Sequence, residues 1–259
     1  AIYADELNID VGEVDFDLKV FPEGITDSHA NFCRKQECSL GNLCADSFKS
    51  VVQSDVSFLN GGSIRTDLKK GKISRKHIID VFPFFNSVFV QEVDGQAILD
   101  ALELGVSKLP SASGGFPQVS GITFDVDTSF NSTVVTDSNG VFQEVTGKRR
   151  VSNVKINGQD LVKDKKYNLS CSSYIAEGGD GYSMFAKFQS VNESIFTDSD
   201  SLSHHIKYNL NGKIPEDYNK EESTRIFIDK PSSETTDNGG NNNNGKSSIR
   251  IMGWKTIRI

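Results

Sequence analysis

Two apolar segments of this chain each end in a pair of adjacent glycines. The first segment, residues 56–59, leads into NGGSIR at positions 60–65, and the second leads into EGGDGY at positions 177–182. Paired glycines at a strand end allow backbone conformations that other residues avoid, and they let the chain approach a neighbouring group closely. The pattern predicts two strands that end in tight loops, the first carrying Arg65 and the second Asp180.

Helical and strand patterns alternate along most of the chain. Apolar residues at three- and four-residue steps predict helices over 40–52, with Ser39 as the N-cap, over 95–109, and over a shorter segment that follows Ser74 and ends near Asp80. Strands are predicted at 55–59, 88–93, 121–126, 151–156 and 167–171, with Asn157-Gly158 as a hairpin signal. Because the helices and strands are interleaved without a uniform βαβ repeat, we expect an α+β fold in which helices cover mixed β-sheet layers.

The composition divides the chain into four parts. Residues 1–8 have the character of the end of an inter-domain linker, and residues 9–230 form the expected folded domain. Residues 231–248 are rich in Ser, Thr, Asn and Gly, a composition that buries too little apolar surface to fold. Residues 249–259 regain apolar character around Trp254 and are predicted to be a docking segment or an added strand, with a protein partner for this tail as one interpretation.

The charge of the chain argues against a nucleic-acid partner. Its 259 residues carry a formal net charge of −7, whereas proteins that bind nucleic acid usually present a basic face.

No apolar run approaches the roughly 18 residues that a membrane span needs, so no span is predicted. No signal peptide is visible either.

The cysteines and glycosylation sequons favour an extracellular or cell-surface location. Cys33 and Cys38 have a spacing that would close a short disulfide loop, and sequons occur at Asn131, Asn168 and Asn192. Both features are typical of the secretory pathway, and they predict a glycoprotein with one disulfide. Cys44 lies on the apolar stripe of the first predicted helix and is expected to be buried.

No catalytic cluster is evident among the four histidines. Asp27 and His29 have the spacing of a dinuclear metal motif, but no apolar strand precedes them and no Asn-His pair follows, so we expect an exposed loop. His204 and His205 lie in a polar helical segment and are expected on the surface. Neither a nucleophile motif nor a dinucleotide or Walker fingerprint is present. No catalytic residue and no metal ligand is therefore assigned in this chain.

The residues that suit ligand binding form a more coherent set. Asn60 and Arg65 flank the first glycine loop, and a guanidinium group matches two phosphate oxygens at once. Phe84 and Tyr174 can present ring faces to a planar base, and such stacking contributes roughly 1–3 kcal/mol per base. Asp180 can accept hydrogen bonds from ribose hydroxyls. Taken singly, each residue also has an ordinary structural interpretation as a core aromatic, a surface cation or a turn residue.

Taken together, four stretches resemble the C-terminal, nucleotide-binding domain of the 5′-nucleotidase, UDP-sugar hydrolase and apyrase family. These stretches are Cys33-Arg34-x3-Cys38-x2-Gly41-Asn42-Leu43, Phe58-Leu59-Asn60-Gly61-Gly62-Ser63-Ile64-Arg65, Phe82-Pro83-Phe84, and Tyr174-Ile175-Ala176-Glu177-Gly178-Gly179-Asp180-Gly181-Tyr182. The similarity extends from Val11 to Ile228, which is most of the chain.

The resemblance implies that binding and catalysis are carried out by two different domains. In the family this domain binds the nucleotide, and a separate N-terminal metallophosphoesterase domain holds two divalent metal ions, with zinc as the expected metal, and cleaves the phosphate. This chain therefore holds no cofactor of its own, and its implied partners are a nucleotide substrate and the N-terminal domain.

The substrate-binding residues that the resemblance implies come from all four stretches. They are Arg34, Asn60, Gly62, Ser63, Arg65, Phe84, Tyr174, Gly179 and Asp180. Phe84 and Tyr174 would enclose the base, Asp180 would hold the ribose, and Arg34 and Arg65 would orient the phosphate.

Three positions depart from the family pattern. Tyr174 stands where the family often has Phe, and Glu177 stands where Asn is usual. Ser57 replaces a cysteine that pairs, in some vertebrate members, with the residue that matches Cys44. Cys44 is therefore expected either to be free or to pair with Cys171.

Two functions follow from these observations. The first is the substrate-binding half of a secreted or surface 5′-nucleotidase-like phosphohydrolase that converts a nucleoside 5′-monophosphate, or a related nucleotide, to the nucleoside and phosphate. The alternative is a non-enzymatic surface or assembly protein that uses the domain as a scaffold. The set of binding residues favours the first, because a scaffold has no physical need for it.

Overall fold

A computed structural model describes residues 6–25, 27–220 and 222–229, without the side chains of residues 192–194. The α-helices in these residues are α1 (Ser39–Val52), α2 (Arg75–Val81), α3 (Gly95–Val106), α4 (Ser173–Ala176) and α5 (Asp198–His204), and short 3-10 and π turns lie between the elements. The strands are β1 (Asp10–Val14), β2 (Val56–Asn60), β3 (Gly71–Ser74), β4 (Ser87–Asp94), β5 (Pro117–Ser120), β6 (Ile122–Val126), β7 (Val134–Thr136), β8 (Phe142–Val145), β9 (Val151–Ile156), β10 (Gln159–Asp160), β11 (Lys166–Ser172), β12 (Ser190–Thr197) and β13 (Ile226–Ile228). The predicted tail and docking segment, 231–259, lie outside the described residues.

Mixed sheets organise the domain, as the α+β prediction requires. A five-stranded sheet has the order β12-β4-β11-β2-β5, and a four-stranded sheet has the order β10-β9-β6-β13. Each contains one parallel pair, β11 with β2 and β13 with β6, among antiparallel neighbours. Two ribbons, β1-β3 and β7-β8, complete the described strands. The predicted fold class is confirmed.

Strand β2 separates two hydrophobic cores. All five of its residues are buried, and alternate side chains of a strand point to opposite faces of the sheet. Phe58 packs in one core with α3 and the four-stranded sheet, whereas Leu59 packs in the other with α1, α2 and α5. A strand that is buried on both faces explains the continuous apolar run in the sequence.

Helix α1 follows its predicted bounds, but its N-cap is not Ser39. The side chain of Cys38 accepts the capping hydrogen bond from the backbone N–H of Gly41, at 3.2 Å, and Ser39 is the first helical residue. Helix α3 ends at Val106, three residues before the predicted end. The predicted hairpin at Asn157-Gly158 is confirmed, because both residues have positive φ angles (49° and 82°) and join β9 to β10.

The histidine pair is more buried than the sequence predicted. His205 is only 6% exposed, and its Nδ1 lies 2.7 Å from the hydroxyl of Ser50 on α1. The surface prediction for His205 is therefore wrong, because α5 packs against α1 instead of lying in solvent. By contrast, Asp27 and His29 form the exposed loop that was expected, with a hydrogen bond between their side chains.

The cysteines resolve the alternatives that the sequence left open. Cys33 and Cys38 form a disulfide, while Cys44 and Cys171 are buried free thiols. Burial raises the pKa of both thiols well above the ordinary value. The two thiols are therefore core residues and do not form a second bridge.

Candidate functional site

The two glycine loops meet at one edge of the central sheet. Strands β2 and β11 are adjacent and parallel, with Val56 opposite Leu169. Because parallel neighbours end at the same edge, the segments that follow them lie side by side, which is where ligands bind in many mixed α/β sheets. Asn60 ends β2, and Tyr174 lies in α4, directly after β11.

The glycines of the first loop are required by close packing. A Cβ on Gly61 would overlap the carbonyl group of Cys33, and a Cβ on Gly62 would come within 2.9 Å of the Cα atom of Gly114. The backbone N–H of Gly62 also donates to the carbonyl oxygen of Gly114, at 2.8 Å. The glycine pair therefore lets two other segments, around Cys33 and around Gly114, press against the end of β2.

Buried amide side chains hold the segment that carries Arg34. Gln118 on β5 donates to the carbonyl oxygens of Cys33 and Gln36, at 3.1 and 2.8 Å. Asn31 donates to the carbonyl oxygen of Ile64, at 2.9 Å, near the end of the first glycine loop. Together with the disulfide, these bonds fix the backbone of Arg34 beside the loop.

The second loop places Asp180 in a strained backbone conformation. Its φ angle is 54°, which is the left-handed region that residues other than glycine rarely occupy. The carboxylate accepts hydrogen bonds from Asn60 Nδ2, at 2.8 Å, and from Tyr174 Oη, at 2.9 Å. The bond from Asn60 joins the carboxylate of Asp180 to the first loop, and the bond from Tyr174 joins it to α4.

A cavity of about 370 Å³ lies between the loops. Its lining residues are Arg34, Asn60, Gly62, Ser63, Arg65, Phe84, Asn86, Gly114, Tyr174 and Asp180. The structure thus brings together all the predicted binding residues except Gly179. A Cβ on Gly179 would come within 2.6 Å of the Tyr174 ring, so this glycine lies against the aromatic residue that lines the cavity.

The sequence analysis missed Asn86 and Gly114 as lining residues. Asn86 follows Phe84 by two positions, and its backbone and side-chain amides donate to the carboxylate of Asp198, at 3.2 and 3.3 Å. Gly114 lines the cavity because its backbone packs directly against Gly62 of the first loop. The run Ser113-Gly114-Gly115 was a visible glycine signal, but no apolar strand precedes it.

The charges at this cavity favour an anion. Arg34 and Arg65 against the single carboxylate of Asp180 leave one net positive charge in the lining. Burial lowers the pKa of the Arg34 guanidinium, the nearby charge of Arg65 lowers it further, and Asp180 opposes them. The Arg34 Nε atom is buried and has no hydrogen-bond partner among the described residues. An anionic ligand would relieve this repulsion between the two guanidinium groups.

Two aromatic rings line the same cavity and remain open to solvent. Phe84 is 55% exposed and Tyr174 is 45% exposed, although large aromatic side chains are ordinarily buried in cores. The guanidinium of Arg65 lies 5.8 Å from the centre of the Phe84 ring. The cavity therefore combines cations with exposed ring faces. Partial burial raises the pKa of the Tyr174 hydroxyl above its ordinary value, and the nearby charge of Asp180 raises it further.

A larger cavity, of about 860 Å³, lies between α1 and the segment before β13. Three of its lining residues already pair with one another: Arg225 and Asp46 form an ion pair of 2.7 Å, and the Tyr218 hydroxyl donates to the same carboxylate, also at 2.7 Å. Residues 221 and 230–259, which adjoin this segment in sequence, are not among the described residues. Size alone therefore does not make this cavity the better candidate site.

The described residues contain no group of three or more His, Cys, Asp or Glu side chains that could hold a metal ion. No helix in that part of the chain is long and apolar enough to cross a membrane.

Comparison with known proteins identifies relatives across most of the domain. The family model described as "5′-nucleotidase, C-terminal domain" matches residues 12–187. A trifunctional nucleotide phosphoesterase protein, YfkN, of Bacillus subtilis is 30% identical over 206 residues, which cover 73% of this chain and 13% of that protein. A 5′-nucleotidase of Vibrio vulnificus is 29% identical over 197 residues, which cover 76% of this chain and 31% of the relative.

Solved structures agree with the sequence comparison. The crystal structure of a 5′-nucleotidase precursor from Thermus thermophilus superposes with a TM-score of 0.70 and 25% identity, covering 89% of this chain and 41% of that one. The chain thus spans about a third or less of the length of the curated relatives it matches.

Proposed function

The chain belongs to the 5′-nucleotidase C-terminal domain family, and from this premise we propose that it is the substrate-binding part of a 5′-nucleotidase-like phosphohydrolase. The proposed substrate is a nucleoside 5′-monophosphate or a related nucleotide, bound in the cavity between the two glycine loops. The observation that carries the proposal is the joint lining of one cavity by two arginines, two exposed aromatic rings and one carboxylate.

Each part of a nucleotide has a matching group in this cavity. The base would stack on the exposed rings of Phe84 and Tyr174, and the sugar hydroxyls would donate to Asp180. The phosphate would accept hydrogen bonds from Arg34 and Arg65, whose planar donors fit two oxygens at once. A compound with only a base, only a sugar or only a phosphate would contact only part of the cavity lining.

The contribution of this chain to the reaction would be binding and orientation. Two divalent metal ions, with zinc as the expected metal, would belong to the family's N-terminal domain and supply the activated water. The described residues of this chain offer no cluster to hold them. Fixing the phosphate in one direction lowers the entropic cost of the reaction, and this effect would be the domain's part of the rate enhancement.

The location of the protein is proposed to be extracellular or at the cell surface. The disulfide between Cys33 and Cys38 suits an oxidising compartment. Asn131 and Asn168 of the predicted glycosylation sites are exposed, so glycans there would not disturb the core. Mass spectrometry of the native glycoprotein, before and after enzymatic removal of N-glycans, would test this location.

Calorimetric titration with adenosine, AMP and UMP tests the binding role. We expect saturable binding of AMP by the wild-type chain and its loss in a Phe84→Ala/Tyr174→Ala double variant. A matched control is Tyr208→Ala, which removes an exposed aromatic ring outside the cavity. Absence of binding by the wild type would instead support the alternative that the domain serves as a scaffold.

A further inference from the structure

The hydroxyl group of Tyr174 makes two hydrogen bonds to a single residue. It donates to Oδ1 of Asp180, at 2.9 Å, and it accepts from the backbone N–H of Asp180, at 3.1 Å. A phenylalanine ring could make neither bond. The hydroxyl therefore acts on both the side chain and the backbone of Asp180.

These bonds act on an exposed residue whose other side-chain bond comes from Asn60. Asp180 is exposed and has a left-handed φ of 54°, a conformation that, outside glycine, is adopted mainly by Asp and Asn and is helped by local side-chain hydrogen bonds. The aromatic ring is itself fixed, because Gly179 lies against it with no room for a Cβ. Ring, hydroxyl and carboxylate thus form one rigid unit at the wall of the cavity.

The carboxylate of Asp180 keeps the acceptor capacity that a cis-diol needs. An ionised carboxylate offers about four acceptor sites, about two on each oxygen. Tyr174 uses one site on Oδ1, and Asn60 uses one on Oδ2, at 2.8 Å. One site on each oxygen remains for an incoming donor. The 2′- and 3′-hydroxyls of ribose supply two donors, whereas a 2′-deoxyribose supplies one.

We propose that Tyr174, through its hydroxyl, is a positioning residue that makes this site selective for ribonucleotides over 2′-deoxyribonucleotides. It does so by holding Oδ1 of Asp180 while Asn60 holds Oδ2, so that both oxygens keep one acceptor site for the sugar. The inference rests on the proposed function, since it assumes that a nucleotide occupies the cavity. Its consequence is specific: without the hydroxyl, the base still stacks, but the carboxylate rotates and the second sugar hydroxyl loses its acceptor.

The test compares AMP with 2′-deoxy-AMP in the Tyr174→Phe variant. In the wild type we expect AMP to bind about tenfold more tightly than dAMP, which is the typical effect of one hydrogen bond to a charged group. In Tyr174→Phe the ratio of the dissociation constant for dAMP to that for AMP should fall to about two or less, because the binding of AMP weakens while that of dAMP changes little. Tyr208→Phe removes the same hydroxyl from an exposed tyrosine outside the cavity and should leave the ratio unchanged.

A second measurement does not depend on nucleotide binding. Hydrogen exchange at the Asp180 amide should be faster in Tyr174→Phe than in the wild type, since that N–H loses its acceptor. A general loss of folding would instead speed exchange across the core of β2 and β11.

The outcomes separate this inference from the proposed function. If the wild type binds AMP and Tyr174→Phe retains the full preference over dAMP, the selectivity role is overturned while nucleotide binding stands. If the wild type binds neither nucleotide, the proposed function fails and the selectivity role fails with it. A smaller preference for AMP over dAMP in Tyr174→Phe, with the wild-type preference kept in Tyr208→Phe, supports both the nucleotide-binding role and the selectivity role.

Discussion

The side-chain amide of Asn60 donates a hydrogen bond of 2.8 Å to the carboxylate of Asp180, 120 residues further along the chain. This bond joins the loop after β2 to the loop that follows β11 and α4. Neither loop alone forms the cavity, because its lining includes Arg65 after the first loop, Asp180 in the second, and Arg34 from a third segment. The pairing of Asn60 with Asp180 therefore fixes the distance between the two walls.

Changing Asn60 to Asp should destabilise the protein. The buried side chain would place a second carboxylate 2.8 Å from that of Asp180, and like charges so close favour protonation of one of them. We expect a loss of about 1–3 kcal/mol in the free energy of unfolding at pH 7, measured by urea denaturation. The double variant Asn60→Asp/Asp180→Asn restores one donor and one acceptor and should recover most of the lost free energy of unfolding. Equal instability of the single and double variants would contradict a direct bond.

Replacing Arg34 by Lys should weaken AMP binding without affecting adenosine. Lysine keeps the charge but lacks the forked donors that match a phosphate group. We expect the dissociation constant for AMP to rise about tenfold, measured by calorimetry, while that for adenosine changes less than about twofold. Arg75→Lys, outside the cavity and paired with Asp200 at 3.3 Å, is the matched control. An equal loss of affinity for both ligands would show that Arg34 does not contact the phosphate.

Substituting Gly61 by Ala should be strongly destabilising. The new Cβ would overlap the carbonyl group of Cys33, and relieving such overpacking costs about 1–3 kcal/mol or more. Thermal unfolding would show the loss as a lower Tm. Gly114→Ala is the control, since its Cβ would meet the side-chain ends of Arg34 and Asp180 at ordinary contact distances of 3.6 and 3.9 Å. A Gly61→Ala variant as stable as this control would mean that the two segments are not in contact.

The burial of Asp198 predicts a pH dependence of stability. Burial raises the pKa of this carboxyl to about 6, from 3.8, although amide donors from Ser199 and Asn86 oppose the shift. A raised pKa means that the native state holds its proton more tightly than the unfolded state. The contribution of Asp198 to stability is therefore greatest below about pH 4 and declines as the pH rises to about 6.

Asp198→Asn removes this titration and tests its sign. The free energy of unfolding of the variant, relative to that of the wild type, should improve by about 2–3 kcal/mol between pH 4 and pH 7. Other titrating groups are common to both proteins and cancel in the difference. Urea denaturation at several pH values measures it. A difference that stays constant with pH would contradict the raised pKa.

The sequence predicted those elements whose periodicity is strong. Helix α1 and strand β9 have nearly their predicted bounds because their apolar spacing is regular and clear signals flank them. Strands β3, β5, β7, β8, β12 and β13 were missed. Gln118 interrupts β5, and it is buried because it supports the Cys33 segment. Strand β13 has only three residues and depends on its parallel pairing with β6.

The candidate site was largely predictable because its residues lie in recognisable short motifs. Asn86 and Gly114 were not, since their place in the lining follows from packing between distant segments. The hydrogen bonds of Tyr174 to Asp180 also escaped prediction, because they depend on the left-handed turn of the loop. His205 was wrongly placed on the surface, since a polar helix gave no sign that α1 would cover it.

The most direct test of the central claim is a crystal structure of this chain grown with saturating AMP. We predict that the base lies against the rings of Phe84 and Tyr174, that the ribose hydroxyls contact Asp180, and that the phosphate points towards Arg34 and Arg65. AMP bound elsewhere, for example in the larger cavity beside Arg225, would contradict the account. A crystal saturated with AMP whose cavity between the glycine loops holds no nucleotide would contradict it equally.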